Sequence, residues 1–148
     1  MAVPTGSGTE TLHSHMFEDI DTTGTTLIFG VQHHTYTVLS VIAHCIATQA
    51  ATNKYFIRLI GYDAKGGVSN QNHRVVAWTM VAGETFVWND KFSFFGAEGT
   101  ASGSAMDAAN QIVIAAQAAG VVQSLMNYTD NASDDCEVIC TYLDQDWT

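Results

Sequence analysis

From Thr26 onward the chain alternates short apolar runs with polar breaks: TLIFGVQ, TYTVLSVIAHCIA, KYFIRLIGY, RVVAWTMV, ETFVW and KFSFF. The runs are rich in β-branched and aromatic residues and are separated by Gly, Asn and Asp, the pattern of strands rather than helices. Val121 to Tyr128 and Glu137 to Leu143 read as closing strands on either side of an acidic loop, Thr129 to Asp135. Many short strands at such spacing predict an all-β chain, an antiparallel β-sandwich of jelly-roll-like type.

Within Tyr36 to Ala47, Leu39, Val41, Ala43 and Cys45 fall on one face of a strand. Val38, Ile42 and Ile46 share the other face with Ser40 and His44. An antiparallel sheet normally turns one face to water, so a strand apolar on both faces predicts a central position with its outer side covered. The cover is either a loop of the same chain or another subunit.

Val81 to Gly96, VAGETFVWNDKFSFFG, concentrates aromatic rings. With Asn89-Asp90 as a hairpin turn, Phe86 and Trp88 share a face of one strand, and Phe92 and Phe94 a face of the next. Four rings in one layer fit either a dense core or a surface that meets a partner.

The first 26 residues are rich in Gly, Ser and Thr, with an apolar island at Met16, Phe17 and Ile20 and no sustained periodicity. They read as an extended N-terminal arm ahead of a sandwich domain spanning 27–148. Such an arm frays in solution, lies along a neighbour with Phe17 as anchor, or packs on its own domain. Ser104 to Gly120 combines a capping-box pattern and Ala-rich interior with an alternation at Ile112 to Gln117. The reading adopted is a turn at 104–110 followed by a strand. Trp147, in the terminal DQDWT, is exposed unless it docks on something.

With 148 residues the chain makes one ordinary domain and buries a core without staples. Five Lys and Arg against fifteen Asp and Glu leave a formal net charge of −10. Such a surface repels polyanions, so neither nucleic acid nor an anionic membrane is an expected partner. No stretch has the ~18 apolar residues of a membrane helix, and the N-terminus lacks the basic and apolar regions of a secretory signal. The expectation is a soluble protein made in the cytoplasm. Cys136 and Cys140, four apart on a strand, would sit about 13 Å apart, beyond the reach of a disulfide. All three cysteines therefore read as small buried hydrophobes, which favours a reducing compartment. The sequons at Asn127 and Asn131 are simplest as chance matches.

Candidate chemistry is sparse. The histidines fall in His13-Ser-His15, His33-His34, His44 and His73. A His-x-His pair on a strand chelates zinc only when further ligands converge on it, and HSH lies within the segment read as an irregular arm. Nucleophile elbows, phosphate loops and dinucleotide fingerprints are absent from the sequence. The expectation is a non-enzymatic protein with no metal and no cofactor.

The order of segments resembles the small β-sandwich virion proteins of tailed bacteriophages. The resemblance is carried by HTYTVLSVIAHCIAT, YFIRLIGY, VAGETFVWNDKFSFFG, QIVIAAQAAG and CEVICTYLDQ, and covers about residues 26–145. It rests on texture and order rather than an invariant motif. The Asn usual after the first long strand is here Cys45 or a near neighbour, and Met106-Asp107-Ala108 replaces the expected Gly-Asp turn.

The resemblance implies a capsid cement or decoration protein on the outer shell of the virion. It would bind the major capsid protein and copies of itself, a homotrimer favoured and a homodimer possible. Met16, Phe17, Ile20, Phe86, Trp88, Phe92, Phe94 and Trp147 are the expected interface residues. Three alternatives stay open. One is a tail, neck or fibre adaptor; another is a carbohydrate-binding module with Trp78, Trp88 and Trp147 as stacking platforms; the third is a cupin-like enzyme, distinguished by bound metal.

Overall fold

A computed structural model describes residues 9–31, 34–61, 71–95 and 123–146. Nine strands run in chain order: β1 (Glu10–Ile20), β2 (Thr25–Phe29), β3 (His34–Ala47), β4 (Lys54–Gly61), β5 (Gln71–Thr79), β6 (Thr85–Trp88), β7 (Phe92–Phe95), β8 (Ser124–Thr129) and β9 (Asp135–Asp146). The segment 104–120, read as a turn and strand, and Trp147 lie outside the described residues.

The strands form two antiparallel sheets. One has the order β1-β9-β3-β6, with β7 also paired to β3, and the other the order β2-β8-β4-β5. Counting β6 and β7 as one interrupted strand gives two four-stranded sheets in the order of a double-Greek-key jelly roll. The expected all-β sandwich is therefore the observed fold. We call the β1-β9-β3-β6/β7 sheet the front sheet and the other the back sheet.

The β6–β7 region departs from the expected hairpin. Val41 to His44 of β3 face Trp88 to Thr85, and Thr35 to Val38 face Phe95 to Phe92. Both strands thus run antiparallel along one edge of β3, with Asn89-Asp90-Lys91 as a break between collinear pieces. A polar pair that permits a turn also permits a local unpairing, and the partner strand decides between them.

The N-terminal segment is less free than an extended arm. Glu10–Ile20 pairs with β9 from Glu10↔Gln145 to Ile20↔Cys136. Its register shifts between Phe17 and Ile20, where Asp19 adopts φ 55°, a left-handed conformation that a short polar side chain tolerates. The bulge turns Ile20 into the core. The chain then crosses to the back sheet through a turn in which the Thr23 N–H donates to Asp21 Oδ1 at 2.7 Å. Gly24, at φ 78°, passes so close to the Asn127 carbonyl that a Cβ would sit 3.2 Å from its oxygen.

The core fills the space between the sheets. From the front sheet come Ile20, Tyr36, Val38, Val41, Ala43, Cys45, Phe94, Cys136, Val138, Cys140 and Tyr142; from the back sheet, Leu27, Ile28, Tyr55, Ile57 and Leu125, with Met80 beside them. The phase of β3 differs from an uninterrupted alternation. A register shift between Val38 and Ser40 puts Tyr36 and Val38 on the same inward face as Val41, Ala43 and Cys45. Leu39 is the residue displaced by this bulge.

One polar pair lies inside. Asn127 is fully buried, and its Nδ2 donates to the Tyr55 hydroxyl at 3.0 Å. An asparagine so placed is closed to glycosylation in the folded chain, which agrees with reading its sequon as a chance match.

Candidate interaction surface

The expected interface residues separate into three groups. Ile20 and Phe94 are buried in the chain's own core, so their assignment to an interface is corrected: they hold the sheets together. Phe17, Trp88 and Phe92 are half-buried and packed against that core. Trp88 stacks on Phe92 with centroids 5.2 Å apart, Phe92 on Phe94 at 6.1 Å, and Phe94 meets Tyr36 at 5.4 Å. Phe86 stacks on Trp78 of the back sheet at 5.4 Å. The aromatic surplus of this segment is thus spent between the sheets. Of those among the described residues, only Met16 is openly exposed, at 54%.

Apolar surface that the sequence reading did not single out lies beside Met16. Met16 pairs with Ile139, Ile139 with Ile42, and Ile42 with Val87. The four side chains form one row straight across β1, β9, β3 and β6 on the outer side of the front sheet. Ile139 is 38% and Val87 51% exposed. Four residues along from Met16 on the same face, Leu12, opposite Leu143, is 65% exposed, and Ile46 at the other end is also exposed.

Several polar groups around the row are paired with one another. Ser14 Oγ lies 3.0 Å from Thr141 Oγ1, Thr37 Oγ1 2.8 Å from Ser93 Oγ, and His44 Nδ1 2.9 Å from Thr85 Oγ1. None of the outward positions of β1, β9, β3 and β6 carries Lys or Arg. The signal in the sequence was the two-sided apolar character of β3; the register that aligns its neighbours arises from pairings about 100 residues apart along the chain.

The back sheet treats its outward hydrophobe differently. Phe56 is covered by Tyr128, stacked at 4.9 Å, and by the Arg74 guanidinium, 4.5 Å from its ring centroid. Arg58 lies 4.7 Å over the Tyr128 ring, and Arg74 Nε donates to the Tyr128 hydroxyl at 3.1 Å. Phe56 is thus covered by a ring and a cation, although Phe29, also on the back sheet, is 55% exposed; the front-sheet row has no such cover.

His13, His15 and His34 lie toward the end of the sandwich where β1, β3 and β9 meet, whereas His44 is toward the other end of β3 and His73 is on β5. The HSH pair lies on a regular strand, β1, rather than in an irregular arm. His13 stacks on Tyr142 at 5.0 Å, and its Nε2 is 3.9 Å from Asp144 Oδ2. His34 Nδ1 is 2.6 Å from Asp144 Oδ1, and Asp146 lies 3.8 Å from His34 Nε2. Burial and then the Asp144 charge push the neighbouring Tyr36 phenol well above its usual range. Among the described residues no group of three His, Cys, Asp or Glu side chains is placed to hold a metal ion.

The remaining chemistry is sealed. Cys45, Cys136 and Cys140 are free thiols and buried. Cys45 and Cys136 stand directly opposite on β3 and β9, a juxtaposition hidden in the sequence by the residues between them. Burial pushes the Cys136 and Cys140 thiols up to about 12, where a thiolate nucleophile is not formed at neutral pH.

No protein-family model matches the chain, and no curated protein matches it by sequence. Solved structures similar to it include a chain described as "Bacillus endospore appendages form a novel family of disulfide-linked pili". That match covers 100% of this chain and 97% of the other, at 9% identity and a TM-score of 0.46. A chain of infectious bursal disease virus Gx strain is 11% identical over 90% of this chain and 31% of its own, with a TM-score of 0.36. A Gt-strain chain is 9% identical over 94% and 37%, with a TM-score of 0.33. This chain therefore spans about a third of the length of the viral chains it matches, and no role is transferred from any of the three.

Proposed function

We propose that the chain is a non-enzymatic structural protein of a virion, a capsid cement or decoration protein. It oligomerises and clamps neighbouring major capsid subunits on the outer shell. The observation that carries this reading is the uncovered row Met16–Ile139–Ile42–Val87. A jelly roll that leaves a row of apolar side chains uncovered across one outer face is a module whose work is done by contact. Many copies on a symmetric shell convert individually weak contacts into a persistent clamp through effective concentration. The sequence resemblance to small phage virion proteins supports the same reading.

A tail or neck adaptor built on the same sandwich would differ in binding a ring in few copies. The carbohydrate-binding alternative is weakened at two of its three platforms, because Trp78 and Trp88 already stack on Phe86 and Phe92. The test is co-sedimentation of the purified protein with empty shells of the virus that encodes it. Saturable binding at a fixed ratio to shell subunits is the expected result. Absence of binding to shells, or binding only to isolated tails, would overturn it.

A further inference from the structure

We infer that the outer face of the front sheet is where a second copy of this chain packs, face to face about a two-fold axis. The proposal deepens the oligomeric part of the reading above, but it rests on the geometry of one chain and holds or fails without a shell.

The first ground is the shape of the apolar row. It crosses the sheet from one edge strand to the other, Met16 on β1 to Val87 on β6, with Ile139 and Ile42 in the middle. Two sheets packed face to face are related by a two-fold axis lying in the interface plane. With the axis along the row, each residue meets its own counterpart. With the axis along the strands, Met16 meets Val87 and Ile139 meets Ile42. Either way apolar opposes apolar, so the row is complementary to itself without any change of shape.

The second ground is charge. At a formal net charge of −10, two copies repel one another across most approaches, and contact requires a face without charge. The front sheet comes nearest to this: Glu10 and Glu18 stand toward its two ends, Glu137 lies opposite His44 in the row next to Ile139, and the other outward positions carry mainly Leu, Ser, Thr, Met, Ile and Val. The strand-borne cations Lys54, Arg58 and Arg74 are on the back sheet. A neutral face offers no electrostatic selection for a foreign partner, whereas it removes the barrier to a like one.

The third ground is the cost of drying the face. Burying an unpaired hydroxyl is expensive, but the pairs Ser14–Thr141, Thr37–Ser93 and His44–Thr85 are already made within the sheet. They enter an interface without losing their partners. At about 4.8 Å between strands and ~3.3 Å per residue, four strands and the span Thr37 to Ile46 make a face of roughly 20 by 30 Å. That is on the order of 600 Å² per copy, below the ~800 Å² of a standard interface, which points to reversible association.

The experiment is sedimentation equilibrium of the full chain over about 1 to 500 μM, beside Ile139→Lys and Met16→Lys. The expected result is a weight-average mass rising from 15.9 kDa toward twice that value. Each variant should raise the dissociation constant at least about tenfold, the scale of a central interface residue. Thermal unfolding measured at the lowest concentration should be unchanged in both. A monomer across the whole range, a trimer, or a dimer indifferent to both substitutions would overturn the proposal. Oxidative footprinting of the wild type guards against misfolded variants: Met16 should become protected as concentration rises, and constant reactivity would contradict the proposal. Shell binding by a monomer would sink this inference alone, whereas a dimer that ignores shells would sink the virion reading alone.

Discussion

Trp78 on β5 and Phe86 on β6 stack across the two sheets, with centroids 5.4 Å apart and ring planes 18° from parallel. They lie on either side of the crossover at Val81–Glu84. There Gly83, at φ 87°, donates its N–H to the Cys45 carbonyl at 2.8 Å, and Cys45 N–H donates to the Glu84 carbonyl at 2.9 Å. The stack clips the open edge of the sandwich shut. Phe86→Ala should lower stability by about 2 kcal/mol, less than a fully buried ring because Phe86 is half-buried. Urea unfolding of Phe86→Ala, Trp78→Ala and the double variant measures this, and the double should lose less than the sum of the singles.

A second prediction concerns acid. Asp134 is buried. It accepts hydrogen bonds from Gln49 N–H at 2.9 Å, Asn53 Nδ2 at 3.0 Å and Asn131 N–H at 3.0 Å, tying the β3–β4 and β8–β9 connections together. Burial alone would raise its pKa, but these donors outweigh it and hold the carboxyl below its ordinary value. A lowered folded pKa contributes stability that is full above the unfolded value near ~3.9 and is lost as pH falls through the folded one. Asp134→Asn should therefore be less stable than wild type at pH 6, and the gap should close below about pH 4. A gap independent of pH would contradict the assignment.

The three thiols give a probe of unfolding. With Cys45, Cys136 and Cys140 buried and their pKa values raised by desolvation, Ellman's reagent at pH 8 should label none of them in the folded chain. All three should react in denaturant. Rapid labelling of one thiol under native conditions would mean that β3 and β9 open locally.

Interior and surface substitutions should part cleanly. Trp88→Asp puts a charge beside Phe92 and should cost several kcal/mol of stability, and Phe17→Ala should also destabilise because Phe17 packs on the core. Val87→Lys, on the outward face of the same strand as Trp88, should change monomer stability by no more than about 0.5 kcal/mol. Differential scanning fluorimetry at low concentration separates the two classes.

The strands were legible because their composition is local: the runs from Thr26 to Phe95 fall on β2 to β7, and the two closing runs on β8 and β9. What misled was decided at a distance. ETLHSHMFEDI looks like an arm because an edge strand keeps only His13, Phe17 and Ile20 from full exposure. Asn89-Asp90 looks like a hairpin turn because nothing nearby reveals that β3 templates both flanking strands. The β3 bulge, one extra residue at Leu39, reverses the faces of Tyr36 and Val38 relative to simple alternation. The candidate interface was half legible: Met16 and the two-sided apolar strand were visible, but Ile139 and Val87 join them only through register.

The proposed role as a shell protein acting by contact is tested most directly by counting copies of the chain in purified particles of the virus proposed to encode it. Quantitative peptide mass spectrometry, with electron cryo-microscopy of the same particles, should find the chain at a fixed ratio to the major capsid protein. It should also find jelly-roll density on the outside of the shell. Absence from the particles, or a handful of copies confined to the tail, would contradict the account.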